Sequence, residues 1–145
     1  KDIRIADLLT GFGVELYAEA GSADLSRPLY AAALSYLRQA VDAYIVARGP
    51  THPEVALAWA SYADAEKGAH DGQPTPAAEF AEEEALRIRQ RVLGPTNVET
   101  LASARDLLLI RGHPSRVQNN AERLQQVVAA FERLIDQAPW DHAAE

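Results

Sequence analysis

Apolar residues recur along this chain at intervals of three and four, the period of a helix with one buried face, and no stretch carries the alternation of a strand. The opening segment from Asp2 to about Ala20 places Ile5, Leu9, Phe12, Leu16 and Tyr17 at that spacing, with Gly21 as its stop. A second helix starts near Pro28 and carries Tyr36, Ala40, Ala43 and Ala47 as a stripe up to Arg48. A third runs from about His52 to Ala69 and contains Trp59, Tyr62 and Ala63. Thr75 and Pro76 read as the cap and first turn of a fourth, which ends at Leu93 and aligns Ala81, Ala85, Ile88 and Val92. Leu101, Ala104, Leu107, Leu108 and Ile110 define a fifth, closed by Gly112-His113-Pro114. The sixth is expected from Ser115 to Gln137, with Leu124, Val127, Val128, Phe131, Leu134 and Ile135 toward the core.

The breaks between these helices repeat. Gly49-Pro50-Thr51-His52-Pro53-Glu54 returns 45 residues later as Gly94-Pro95-Thr96-Asn97-Val98-Glu99, and Tyr36, Ala40, Ala43 and Ala47 return as Ala81, Ala85, Ile88 and Val92. In each break Gly can adopt the conformation that closes a helix and Pro blocks its continuation. Thr followed three residues later by Glu predicts a reciprocal capping box at Thr51–Glu54 and Thr96–Glu99, and Ser115 with Gln118 predicts a third. Gly11 and Gly13 inside the first helix lower its propensity by about 1 kcal/mol each relative to Ala. A close helix–helix approach would offset that. The expected fold is all-α: three stacked antiparallel helix pairs in one domain spanning 1–145, with units of about 2–48, 52–93 and 97–137 and a tail at 138–145.

The run Ala85-Leu86-Arg87-Ile88, followed by Val92-Leu93-Gly94-Pro95-Thr96, resembles the tetratricopeptide repeats of the kinesin-light-chain type. Gly49-Pro50-Thr51-His52-Pro53 matches the turn of that subfamily in full, and the second copy lacks its His and Pro. Trp59 stands where a smaller apolar residue is usual. The resemblance implies a right-handed α-solenoid whose first helices line a concave face that binds peptides or protein surfaces. On that face it places Glu54, Ala58, Ser61 and Ala65, with Glu99, Ser103, Asp106 and Ile110 as their 45-residue counterparts. Ser61 and Asp106 occupy a position where the subfamily usually has Asn.

Composition narrows the chemistry. There is no Cys among the 145 residues, which removes disulfides, thiolate metal sites and a cysteine nucleophile. A net charge of −7 opposes a nucleic-acid backbone or an anionic membrane as the main partner. No apolar run is long enough to span a bilayer and no signal-peptide pattern is present, so membrane insertion is not expected and the compartment stays open. The chain begins at Lys1 and contains no Met, which fits either a processed, even exported, form or a segment of something longer.

His52, His70, His113 and His142 stand at turns, helix ends and the tail, with no ligand spacing, so neither metal nor cofactor is expected. Glu82-Glu83-Glu84 with Arg87, Arg89 and Arg91 reads as a solvated face, Glu83 pairing with Arg87 four residues on. With no nucleophile elbow and no phosphate loop, no enzyme activity is expected. Two functions remain: a non-enzymatic adaptor or accessory subunit binding a protein or peptide with basic residues, or the sensory or regulatory repeat segment of a longer multidomain signalling protein.

Overall fold

The computed structural model describes residues 3–21, 26–117 and 120–137, and these are all-helical, without a strand. Seven helices follow in order: α1 (Ile3–Ala20), α2 (Ser26–Arg48), α3 (Pro53–Ala69), α4 (Pro76–Leu93), α5 (Val98–Gly112), α6 (Pro114–Val117) and α7 (Ala121–Gln137). None is long and apolar enough to cross a membrane.

Sequence neighbours pack side by side, and their contacts give the direction. Tyr44 near the end of α2 donates to Asp7 near the start of α1 at 2.8 Å, whereas Tyr30 near the start of α2 meets Tyr17 of α1. Between α2 and α3, Arg48 lies 3.6 Å from Glu54 and Tyr30 covers Gly68. Between α4 and α5, Arg89 reaches Ser103 while Glu79 reaches Arg111. All three interfaces are antiparallel.

The core is made largely of small side chains. Ala6, Ala33, Ala40, Ala56, Ala58, Ala63, Ala65, Ala78, Ala81 and Ala85 are fully buried, with Leu37, Val41, Val55 and Ile88 between them. Alanine is the best helix former and lets helix axes approach closely, so one residue type serves both propensity and packing. Gly13 carries this furthest: a Cβ there would stand 2.5 Å from Leu37 Cγ and 3.3 Å from the Ala33 carbonyl oxygen. Gly11, two residues earlier and so on the other side of the helix, has nothing near it. Trp59 is accommodated at 6% exposure, edge-on to Phe80 at 5.4 Å and Tyr62 at 6.0 Å, with the Arg38 guanidinium 5.1 Å above its ring.

The helix starts depart from expectation. The cap of α3 is His52, whose Nδ1 accepts from the Glu54 N–H at 3.3 Å, and that of α5 is Asn97, whose Oδ1 accepts from the Glu99 N–H at 2.9 Å. Neither Thr51 nor Thr96 caps. Pro53 at the first helical position holds the residue before it extended, and His52 has φ −75° and ψ 144°. In the second copy Asn, a better cap than Thr, takes the same place. Thr75 caps α4 as expected, accepting from Ala78 N–H at 3.1 Å. Gly49 and Gly94 have φ of 94° and 89°, the left-handed side that favours glycine, so the breaks do close helices.

The expected sixth helix is divided. His113 Nδ1 accepts from the Ser115 N–H at the start of the single turn α6, and Asn120 starts α7 by accepting from Arg123 N–H at 3.0 Å. Gln118, the other half of the expected third box, lies outside the described residues, as does the tail at 138–145. The apolar stripes also shift. Ile5, Phe12, Tyr36, Val92, Leu124, Val128 and Ile135 are exposed, while Ala6, Leu37 and Val41 supply buried positions; Val127, expected toward the core, is buried. The faces that carry small residues approach most closely and take the inside with the larger side chains they receive, as Gly13 and Ala33 do around Leu37.

Candidate binding surface

The residues expected on the concave face divide by depth. Ala58, Ala65 and Ser103 are fully buried and Ile110 is 3% exposed, so these four support the fold from inside. Glu54 and Ser61 are half-buried, Glu99 is exposed and Asp106 is half-buried. Glu54 is engaged locally, 3.3 Å from His52 and 3.6 Å from Arg48. Around Asp106 the structure gathers side chains that the sequence pattern left apart.

Their centre is Glu82 of α4, 2% exposed among Ala78, Ala81 and Ala85. Ser103 of α5 donates a hydrogen bond to it, while the same hydroxyl accepts from Arg89 Nη1 at 2.7 Å. Arg89 Nε lies 3.7 Å from Glu99. On the α3 side, Lys67 Nζ bonds Asp64 at 2.8 Å, and on the α5 side Arg105 bonds Asp106 at 2.8 Å. Asp64, Glu82 and Asp106 thus converge from three consecutive helices, with Lys67 and Arg105 beside them. Oε1 of Glu82 has no hydrogen-bond donor among the described residues.

That arrangement displaces two ionisation equilibria. Burial is the main cause that lifts the Glu82 carboxyl to about 7; the Ser103 hydrogen bond opposes it, Asp106 adds to it, Lys67 opposes and Asp64 adds. At Lys67 burial works against the ammonium, but the Asp64 bond and the charges of Asp64, Asp106 and Glu82 outweigh it and the net shift is upward. Each rim acid has a base beside it, Asp64 with Lys67 and Asp106 with Arg105, and the deepest oxygen, Glu82 Oε1, lacks a donor among the described residues.

The acidic run of α4 is a solvated face only in part. Successive helical residues point about 100° apart, and the three acids part accordingly. Glu82 turns inward, Glu83 pairs with Arg111 of α5, and Glu84 bonds Arg87 at 2.7 Å. The expected Glu83–Arg87 pair does not form. Glu79 joins the same clasp, 3.0 Å from Arg111 and paired with Arg116 of α6. A spacing signal existed for Glu82: it lies one residue after Ala81 and three before Ala85 within the buried stripe, so a carboxylate there needs a partner on the neighbouring helix.

The histidines serve turns. His52 caps α3, His70 Nδ1 lies 2.9 Å from the Glu66 carbonyl oxygen, and His113 meets the Ser115 hydroxyl at 2.8 Å. His142 is outside the described residues. No known protein-family model matches the chain, and no curated protein matches it in sequence.

Proposed function

We propose that this chain is a non-enzymatic helical-repeat scaffold, of the tetratricopeptide type that its Gly-Pro turns resemble, and that it holds a basic segment of a partner protein across α3 and α5. The carrying observation is the convergence of Asp64, Glu82 and Asp106 from three helices with Glu82 Oε1 lacking a donor. A buried carboxylate without full hydrogen bonding is costly, and a Lys or Arg side chain from a partner supplies both charge and donors. An extended segment lying across α3 and α5 reaches both rim acids at once, and electrostatic complementarity sets its choice of partner.

The test uses two short extended peptides, one alternating Lys with Ala and the other Glu with Ala, titrated at one fixed salt concentration. The basic peptide binds and the acidic one does not. Asp106→Lys weakens the basic peptide by about 1 to 3 kcal/mol, roughly 5- to 150-fold. Reversing the exposed pair as Glu84→Lys with Arg87→Glu leaves affinity nearly unchanged, because such pairs contribute about 0 to 1 kcal/mol. Equal binding of both peptides, or indifference to Asp106→Lys, refutes the assignment.

A further inference from the structure

Acids and bases are matched around Glu82 with one exception. Asp64 has Lys67 at 2.8 Å, Asp106 has Arg105 at 2.8 Å and Glu99 has Arg89 at 3.7 Å. Glu82, alone of these four acids, has a hydroxyl in place of a base: Ser103 donates to it, and Oε1 meets no donor among the described residues. While Glu82 is protonated, the three other acids and their three bases cancel. Once it ionises, the cluster carries one negative charge in excess.

That excess sits where water screens it least, because Glu82 is 2% exposed while Asp64 and Asp106 reach the surface. A partner's ammonium arriving at the rim is drawn by Asp64 and Asp106 and repelled by Lys67 and Arg105, so the balance of attraction falls to the carboxylate beneath. The groups that face Glu82 are Asp64 and Lys67 from α3, Asp106 from α5, and Ser103, which also holds Arg89 of α4. Burial keeps the proton on Glu82 up to about 7, and a cation added at the rim acts in the opposite sense, toward release.

Resting on the reading of α3 and α5 as the seat of a basic segment, we infer that Glu82 decides when that seat accepts one: the segment binds the ionised carboxylate, and binding expels the proton that the free chain holds there. Glu82 acts through its field, and the partner touches only the rim. Recruitment is therefore weak in acid and strong in alkaline solution.

Calorimetric titration of the chain with the peptide of alternating Lys and Ala, at one fixed salt concentration, tests this. Affinity rises about ten-fold from pH 6 to pH 8, as one carboxyl titrating at about 7 requires. At pH 7 about half a proton leaves per peptide bound, read from the difference in heat between buffers of small and large ionisation enthalpy. Glu82→Gln, its fold confirmed by circular dichroism, binds about ten-fold more weakly than wild type at pH 8, shows no change with pH and releases no proton. Every histidine remains in that variant, so a pH dependence that survives there belongs to them and overturns the inference. Equal wild-type affinity at pH 6 and pH 8 without proton release, a measurement that needs no variant, overturns it too and leaves the basic-segment reading standing. A peptide that binds at neither pH removes that reading, and this inference with it.

Discussion

Glu82 spends its ionised state in a place that disfavours it. Burial lifts its carboxyl from the ordinary 4.5 to about 7, so between those values the folded chain holds a proton that the unfolded chain has released. Stability contributed by this residue is therefore full below about 4.5 and falls as the pH rises through 7. Glu82→Gln keeps the shape and an acceptor for Ser103 without the charge. It is expected to raise stability at pH 8 by on the order of 1 to 3 kcal/mol and to change it little at pH 4. Denaturant melts of both proteins at the two pH values check this; equal gains at both would mean that the effect is packing. Gly13 shows a second residue-level dependence, because Leu37 occupies the space that any side chain there would need.

At the scale of the helix, the starts of α3 and α5 decide where the chain turns back. Asn97→Ala is expected to destabilise by about 1 kcal/mol, the usual loss of a cap, and Thr96→Ala by far less. Thermal melts of the two variants distinguish them, and the reverse order would return the cap to Thr96. The breaks up to α5 were legible in the sequence, since Gly-Pro pairs and Thr75-Pro76 act locally, whereas the division of the expected sixth helix into α6 and α7 was not. The capping residues of α3 and α5 were not, because a threonine before His-Pro or Asn-Val satisfies the same pattern as a cap one position earlier. Which face of α7 is buried was illegible for a different reason. Its Leu, Val, Phe and Ile residues announce an apolar stripe, but the neighbour that would receive it is not specified by the helix itself. The candidate surface was half legible: Asp106 and Ser103 stood out by repeat register, whereas Asp64, Lys67 and Glu82 come together only through the packing of three helices.

Over the whole molecule the cohesion is uneven. The buried apolar clusters draw on α1, α2, α3 and α4, and no described residue of α5 or α7 belongs to them. α5 and α6 are held to α4 by ion pairs, Arg111 on Glu79 and Glu83 and Arg116 on Glu79, and α7 packs Val127 against Gly112 of α5. Where helices pack mainly on their neighbours in sequence, stability varies along the chain. Amide hydrogen exchange is expected to be faster throughout α5 and α7 than in the middle of α2, α3 and α4, and faster again in high salt, which screens the clasp. Uniform protection along the chain would contradict it. The clasp also sets a grammar for recombination. Apolar joints accept many neighbours, whereas a joint written with two acids on one side and two arginines on the other admits only a complementary unit. Exchanging those signs on both sides would create a second, mutually exclusive joint, so that shuffled halves of this chain could be made to recognise their own counterparts.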